Sequence, residues 1–475
     1  MDNQNSAAER LHFSEFYRLE KELGLFGLQY RGVNYWQFIR FGICIQLSYA
    51  GFTMSCVQNE RNFKQEIFGA LSNSMRMHRA WKKLGKADLI RIRPRVTLGN
   101  NGKTDDHQFD YISFGDSVTV LDVYALGNYA TVPDVVEYTM ASAEARLILW
   151  KIKRKLFGQK SIDKEQEVLL GTFLSKLTEL YGVKFSLPEL LARIQYAVIC
   201  HLYYRKAFLR LFKKVSPRAV MLYPNYDDHM YAAIAAARML GIKTVEVQHG
   251  ETIGHCAYWY EDQSPEGKML PDYFFSYGQW WIDQIQLPDS VTVLPIGNPY
   301  FEAQCKRYPA KTNGRAITFF SNTISGKDLE ALIAFSYDDM IRQGYHIVFK
   351  LHPREVSNWK KEYRFLVEHP EIKVVEGGSI YELISESAII VGIRSTVFYE
   401  ALQYDNVEII LDKKGGMDQL IDSGIAYSYC TEEDFRRFFD GNSLKRKNKD
   451  FDKTLLWAPN GTERAVEMMH QIMGK

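Results

Sequence analysis

The sequence predicts an α/β protein of two doubly wound domains facing a cleft, preceded by a helical N-terminal extension. Three observations carry this. From about residue 218 short apolar runs alternate with helical stretches, the rhythm of parallel strands joined by helices that cover both faces. The rhythm breaks once, at the Lys-, Arg- and Asn-rich link CKRYPAKTNGR of 305–315, and then resumes. The later strands end in Gly or polar residues, and in open parallel sheets ligands sit beyond those carboxyl ends.

The elements follow in order. Residues 1–86 alternate aromatic and charged positions at helical spacing, as in FSEFYRLEKELGLF, and form the extension. ADLIRIRP at 87–94 and SVTVLDVY at 117–124 are short β-branched runs bounded by turn residues and read as strands. Between 134 and 215 apolar residues recur three and four apart, in EVLLGTFLSKLTELYG and LPELLARIQYAVICHLYY, so this stretch reads as helical. RAVMLYP, KTVEVQHG, DYFFSYG and VTVLPIGNP continue as strands, with a helix over YDDHMYAAIAAARMLG that has acidic residues in its first turn and Gly at its stop. After the link come AITFFSN, HIVFKLHP, IKVVEGG, AIIVGIRST and VEIILDKKGG, and a final helix over 460–473. The expected domains are 1–86, 87–305 with a helical insertion, and 306–475.

With 475 residues the chain has room for about two to four domains of roughly 100–200 residues. At 46% hydrophobic, 14% aromatic and 24% charged it is neither disordered nor collagen-like nor a disulfide scaffold. Its 59 basic and 57 acidic residues leave +2, too small a surplus for a dedicated duplex-DNA binder, so no nucleic-acid partner is expected. Cys44, Cys56, Cys200, Cys256, Cys305 and Cys430 are scattered without a CxxC pair and read as reduced thiols. The N-terminus lacks a signal-peptide pattern, and the longest apolar runs, such as FGICIQLSYAGF, fall short of the ~20 residues that span a bilayer. A cytoplasmic location is expected. KIKRK at 151–155 and LKRKNK at 444–449 leave peripheral contact with anionic lipid open, beside the plainer reading of solvated faces.

Three strand-end loops of the second half carry candidate chemistry. In KLHPRE, Pro353 stops the strand while His352 and Arg354 offer an imidazole and a guanidinium to an anion, or serve simply as an exposed turn. In EGGSIYELI, Gly377, Gly378 and Ser379 hold the same place after their strand. In VGIRSTVFYEAL, Arg394, Ser395 and Thr396 lie where strand gives way to helix, offering hydroxyls and free N–H groups to a phosphate or a plain cap to the helix. Glu400, one turn further on, could accept from a ribose. There is no GxGxxG, Walker loop or HExxH.

The order HP, then GGS, then ST with Glu, at spacings of about 25 and 16 residues, resembles the donor-nucleotide domain of GT-B glycosyltransferases of bacterial capsule and lipopolysaccharide synthesis, in particular the Kdo-, sialyl- and polyol-phosphate-transferase branches. The fold this implies is two Rossmann-like domains, the first on the acceptor side and the second holding the donor. The resemblance implies that His352, Ser395 and Thr396 bind donor phosphates, with Ser379 and Glu400 near the nucleoside. VEVQHGE, YFFSYGQWW and VLPIGNPYFE are similar to acceptor-side segments. The likeness covers about 215–425. It implies transfer of a sugar from a nucleotide-activated donor, cytidine favoured, to a glycan or glycolipid acceptor, without metal or cofactor. Asp227 and Asp228 are followed by His229, so the acidic-acidic-Gly triplet of sialyltransferases is absent. A polyol phosphotransferase, a nucleotide-sugar epimerase and a non-catalytic partner subunit are the alternatives, and the epimerase's Asp-Ser-Gly-Gly stretch is missing after the HP loop.

A general base is expected on the facing domain. His249 ends the strand KTVEVQ next to Gly250, which lets a ligand approach, and is placed ahead of Asp228 and Asp227, with Glu251 to orient its ring.

Overall fold

The computed structural model describes residues 7–48, 81–82, 84–93, 105–124, 146–152, 161–311, 314–322, 325–440, 444 and 451–475. Expectations for 49–80, for 125–145, for KIKRK from 153 onward and for LKRKNK from 445 onward lie outside the described residues. Two compact units divide the chain: Glu15–Pro299 with Ala458–Lys475, here the N-unit, and Tyr300–Trp457 with Met1–Ser14, the C-unit.

The chain begins with α1 (Ala7–Glu22), which enters the N-unit at Glu15, and the N-unit continues with a small antiparallel hairpin of β1 (Gln29–Tyr30) and β2 (Val33–Asn34), and α2 (Trp36–Ser48). Arg40 on α2 ties these pieces to the rest of the unit. Its guanidinium pairs with Glu20 and donates to the carbonyls of Cys256 and Trp259, while Trp36 Nε1 donates to Glu20 at 2.7 Å. A buried ion pair is tolerated only with its hydrogen-bonding capacity filled in this way.

Six parallel strands follow: β3 (Leu89–Arg93), β4 (Val120–Tyr124), β5 (Ala219–Leu222), β6 (Lys243–Val247), β7 (Tyr273–Ser276) and β8 (Thr292–Pro295), in the order β4-β3-β5-β6-β7-β8. Alternate residues point to opposite faces. Ile90, Ile92, Val220 and Leu222 meet α4 (Leu187–Val215) and α5 (Asp228–Met239), which follow α3 (Lys164–Tyr181), while Leu89, Ala219, Met221 and Val245 pack on the other side. α4 begins with Ser186 capping Glu189 N–H and Pro188 in the first turn, and ends with Lys213 and Lys214 against its carbonyl end.

The C-unit opens on α6 (Pro299–Arg307), whose first residue closes the N-unit, and then alternates strictly: β9 (Ala316–Phe320), α7 (Gly326–Arg342), β10 (His346–Lys350), β11 (Lys373–Val375), α8 (Ile380–Glu386), β12 (Ser387–Gly392), α9 (Val397–Ala401), β13 (Glu408–Asp412) and β14 (Tyr427–Tyr429), with shorter helices between. All six strands are parallel, ordered β11-β10-β9-β12-β13-β14. Counted from β9 this is 3-2-1-4-5-6, the Rossmann order, with its switch point between β9 and β12. β9 is buried along its whole length, as a strand covered on both faces must be. Both units are Rossmann-like parallel-sheet domains, the fold class expected from the sequence.

Two boundaries differ from the expectation. The division falls at Pro299 and Tyr300, ahead of the 305–315 link, because Tyr300 and Phe301 pack on Tyr381 and Trp457 of the C-unit. The last helix, α10 (Gly461–Met473), does not join the 306–475 block. It lays Ala465, Met469 and Met473, successive positions four residues apart, against the N-unit strands, and Ala458 N–H donates to Tyr277 O at 2.8 Å. Gly297, at φ +106°, lets the outgoing chain pass this returning one: a Cβ there would lie 2.3 Å from Ala458 O.

Candidate functional site

In the C-unit the loops after β9, β10 and β12 are joined by named bonds. Ser321 N–H, just past β9, donates to Lys350 O at the end of β10 at 3.0 Å. Ser321 Oγ donates to Glu355 Oε1 at 2.9 Å, and Glu355 Oε2 accepts His352 N–H at 2.7 Å. Across the switch point Asn322 Nδ2 donates to Arg394 O at 3.5 Å, and its Oδ1 accepts Ser325 N–H at 2.8 Å. The turn after β13 closes on the same place: a Cβ on Gly415 would stand 2.2 Å from Ile393 O, so only glycine permits this approach.

The HP, GGS and ST residues take their positions from this frame. His352 is half-buried, and its Nδ1 accepts Arg354 N–H at 3.2 Å, so Nδ1 carries no proton and the ring presents Nε2–H as a donor. Arg354 is exposed. Ser379 caps α8 through Tyr381 N–H at 3.3 Å, after Gly378 at φ +81°, and a Cβ on either Gly377 or Gly378 would meet nothing within 4 Å. Ser395 Oγ accepts Val397 N–H at 3.3 Å, while Thr396, at the start of α9, makes no side-chain cap.

Glu400 bridges two of these loops, hydrogen bonded to the side chains of Tyr381 on α8 and Thr396. Its Oε2 is buried without a partner. Burial pushes its carboxyl up to about 7 against those two hydrogen bonds. Ser321, Asn322 and Glu355 were not singled out by sequence reasoning. The signal available was the polar end of AITFFSN and the Glu in KLHPRE.

In the N-unit the expected base residues lie at the ends of β5 and β6. His249 Nε2 shares a 2.9 Å hydrogen bond with Tyr226 Oη, and Nδ1 is buried without a partner. Tyr226 therefore orients the ring through Nε2, a partner not expected from the sequence. Burial draws His249 down to about 4, so the imidazole is neutral at neutral pH. Phe41, Tyr226 and His255 pack against one another beside it, with centroids 4.7 to 5.0 Å apart.

The two aspartates are engaged elsewhere. Asp227 caps α5, accepting His229 N–H at 2.8 Å and lying 2.6 Å from His229 Nδ1. Asp228 pairs with Arg193 at 3.0 Å, and burial raises its carboxyl despite that cation. Their placement is that of helix-start partners, because the first turn of α5 is where the dipole favours a carboxylate.

Glu246, on β6 and fully buried, is a residue the sequence reading passed over. Its Oε1 accepts Asn225 N–H at 3.1 Å and Tyr258 Oη–H at 2.9 Å, while Oε2 has no partner. Burial pushes it up to about 8, so it is a neutral acid at neutral pH. Gln248 next along shapes the loop, accepting Tyr277 N–H at 2.9 Å and donating to Gly250 O at 2.9 Å. Among the described residues no group of three or more His, Cys, Asp or Glu is arranged to hold a metal ion, and no helix is long and apolar enough to cross a membrane.

No family model and no curated protein sequence matches the chain. Among solved structures it is similar to UDP-GlcNAc 2-epimerase from Neisseria meningitidis, at 11% identity over 81% of this chain and 98% of that chain, with a TM-score of 0.45. A glycosyltransferase from Rickettsia africae shares 12% identity over 82% of this chain and 99% of that one, at a TM-score of 0.43. MurG from Acinetobacter baumannii shares 12% over 81% and 99%, at 0.41.

Proposed function

We propose that the protein is a glycosyltransferase that binds a nucleotide-activated sugar at the switch point of the C-unit sheet and transfers the sugar to a glycan or glycolipid acceptor. What supports the reading is that Ser321 and Asn322 tie the loops after β9, β10 and β12 together, that the His352 ring keeps Nε2–H as its donor, and that Glu400, with one carboxyl oxygen unpartnered, links Thr396 to Tyr381, two residues past Ser379. Strand ends at a switch point are where nucleotides bind in such sheets.

The chemistry follows from charge. As the glycosidic bond to the phosphate breaks, the leaving oxygen gains negative charge, and fixed donors there stabilise the transition state more than the ground state. His352, Ser395 and Thr396 supply those donors, Arg354 and Arg394 add positive charge, and Glu400 accepts from the ribose. His249, neutral and held by Tyr226, is the acceptor-side base. On the resemblance of the HP and Ser-Thr loops the donor is a cytidine nucleotide such as CMP-Kdo, and the product a capsule or lipopolysaccharide glycan made in the cytoplasm, with peripheral membrane contact.

Incubation with radiolabelled CMP- and UDP-sugars tests this. Transfer to a glycan primer is the expected product. Epimerised donor without transfer, or no turnover of any donor, overturns the proposal.

A further inference from the structure

Glu355 lies three residues beyond His352, and its carboxylate is shared by three partners. Oε2 accepts His352 N–H at 2.7 Å, while Oε1 accepts Ser321 Oγ–H at 2.9 Å and Tyr363 Oη–H at 2.5 Å. One side chain thus binds the end of β9, the end of β10 and Tyr363, the residue that precedes the short helix Arg364–Glu368. The start of α7 closes on it too: a Cβ on Gly326 would lie 1.9 Å from Tyr363 Oη and 2.8 Å from Glu355 Oε1. Any side chain at this position would have to push the Tyr363 hydroxyl and the Glu355 carboxylate aside.

The consequence falls on His352. Its backbone N–H is taken by Glu355, and its Nδ1 by Arg354 N–H at 3.2 Å, a contact that needs the tight turn Glu355 clamps. Only Nε2–H remains to meet a ligand. We propose that Glu355 is the positioning residue of the nucleotide site, holding the His352 turn so that the ring stays in its Nε2–H tautomer and faces the phosphates. This rests on the reading of the C-unit loops as a nucleotide site, and deepens it by naming what orients the donor. A carboxylate is suited to the place because it only accepts, and three donors converge on it.

Full-length Glu355→Ala and Glu355→Gln, each also made with His352→Ala, test the idea by CMP titration calorimetry and by imidazole 15N NMR of His352. Glutamine keeps a carbonyl for His352 N–H and can turn its amide to the two hydroxyls. Expected for Glu355→Ala are mixed tautomers at His352 and CMP affinity about tenfold weaker, the scale of losing a partner that orients a ligand-binding histidine. Glu355→Gln should restore the tautomer and most of the affinity. In the His352→Ala background the alanine change should cost little more, since coupled residues are not additive. An unchanged tautomer in Glu355→Ala, or an equal loss of affinity with and without His352, overturns the proposal. Should Glu355→Ala fail to fold, Glu355→Gln decides: a wild-type tautomer and near-normal affinity support the assignment, and a tautomer mixture contradicts it. If the wild-type chain binds no CMP the nucleotide reading fails, while the tautomer comparison still decides what Glu355 does.

Discussion

Burial acts in opposite directions on two residues three apart at the end of β6: it draws His249 down to about 4 and pushes Glu246 up to about 8, because in both cases the charged form is the one disfavoured. Each therefore stands neutral at neutral pH. For Glu246 the consequence is a stability that depends on pH. Its folded value lies above the ordinary 4.5, so between those limits the folded chain holds a proton that the unfolded chain releases. Stability from this group is full below about 4.5 and is lost as pH rises toward 8, by on the order of a few kcal/mol at about 1.36 per unit. Glu246→Gln keeps the acceptor for Asn225 and Tyr258 and removes the titration. Its urea midpoint should fall less between pH 5 and pH 8 than the wild-type midpoint does, and equal falls would contradict the assignment. For His249 the prediction is kinetic. His249→Ala should abolish transfer while nucleotide affinity stays within a few-fold. A parallel loss of affinity would move His249 to the donor side.

At the scale of elements, the loops of the C-unit are joined by contacts that short-range patterns do not encode. KLHPRE, EGGS and IRST each announce a strand end, because a buried apolar run stops there at polar residues and glycine. That Glu355 meets Ser321, 34 residues earlier, and Tyr363, 8 residues later, follows only once β9 and β10 are neighbours. β14, the three residues Tyr427–Tyr429, and the β1–β2 hairpin are too short for a period-two pattern to register. Glu246 was hidden because it sits inside the strand KTVEV between two valines, where nothing local marks its burial. Gly415 tests the joining of the loops directly. Gly415→Ala puts a methyl 2.2 Å from the backbone oxygen of Ile393, and overpacking of this kind costs about 1–3 kcal/mol. Its urea midpoint should drop, and a nucleotide should bind more weakly through the displaced Arg394–Thr396 turn. A wild-type midpoint would mean that the two loops are not held together as described.

At the scale of the molecule, the alternation of strand and helix made both α/β units legible, since parallel sheets demand crossover helices. The allegiance of the last helix was not. An amphipathic pattern shows which face of α10 is apolar, not which sheet receives it, and Ala465, Met469 and Met473 lie against Leu89, Met221 and Val245 of the N-unit. At about 1.5–3 kcal/mol for each large buried apolar side chain, this contact is comparable to a sizeable part of the ~5–15 kcal/mol that holds a domain folded. A chain ending at Trp457 should therefore lose the cooperative melting of the N-unit, as followed by calorimetry. An unchanged melt would place the helix elsewhere.

The central claim, that the C-unit strand ends hold a nucleotide's phosphates, is tested most directly by thermal shift of the wild-type chain and of His352→Ala with a panel of nucleoside mono- and diphosphates. A nucleotide present at a hundred times its Kd should add about 2.7 kcal/mol of stability to the wild type, with cytidine nucleotides foremost. His352→Ala, melting as the wild type does when empty, should show a smaller shift at the same concentration. No shift with any nucleotide, or an equal shift in His352→Ala, would contradict the account.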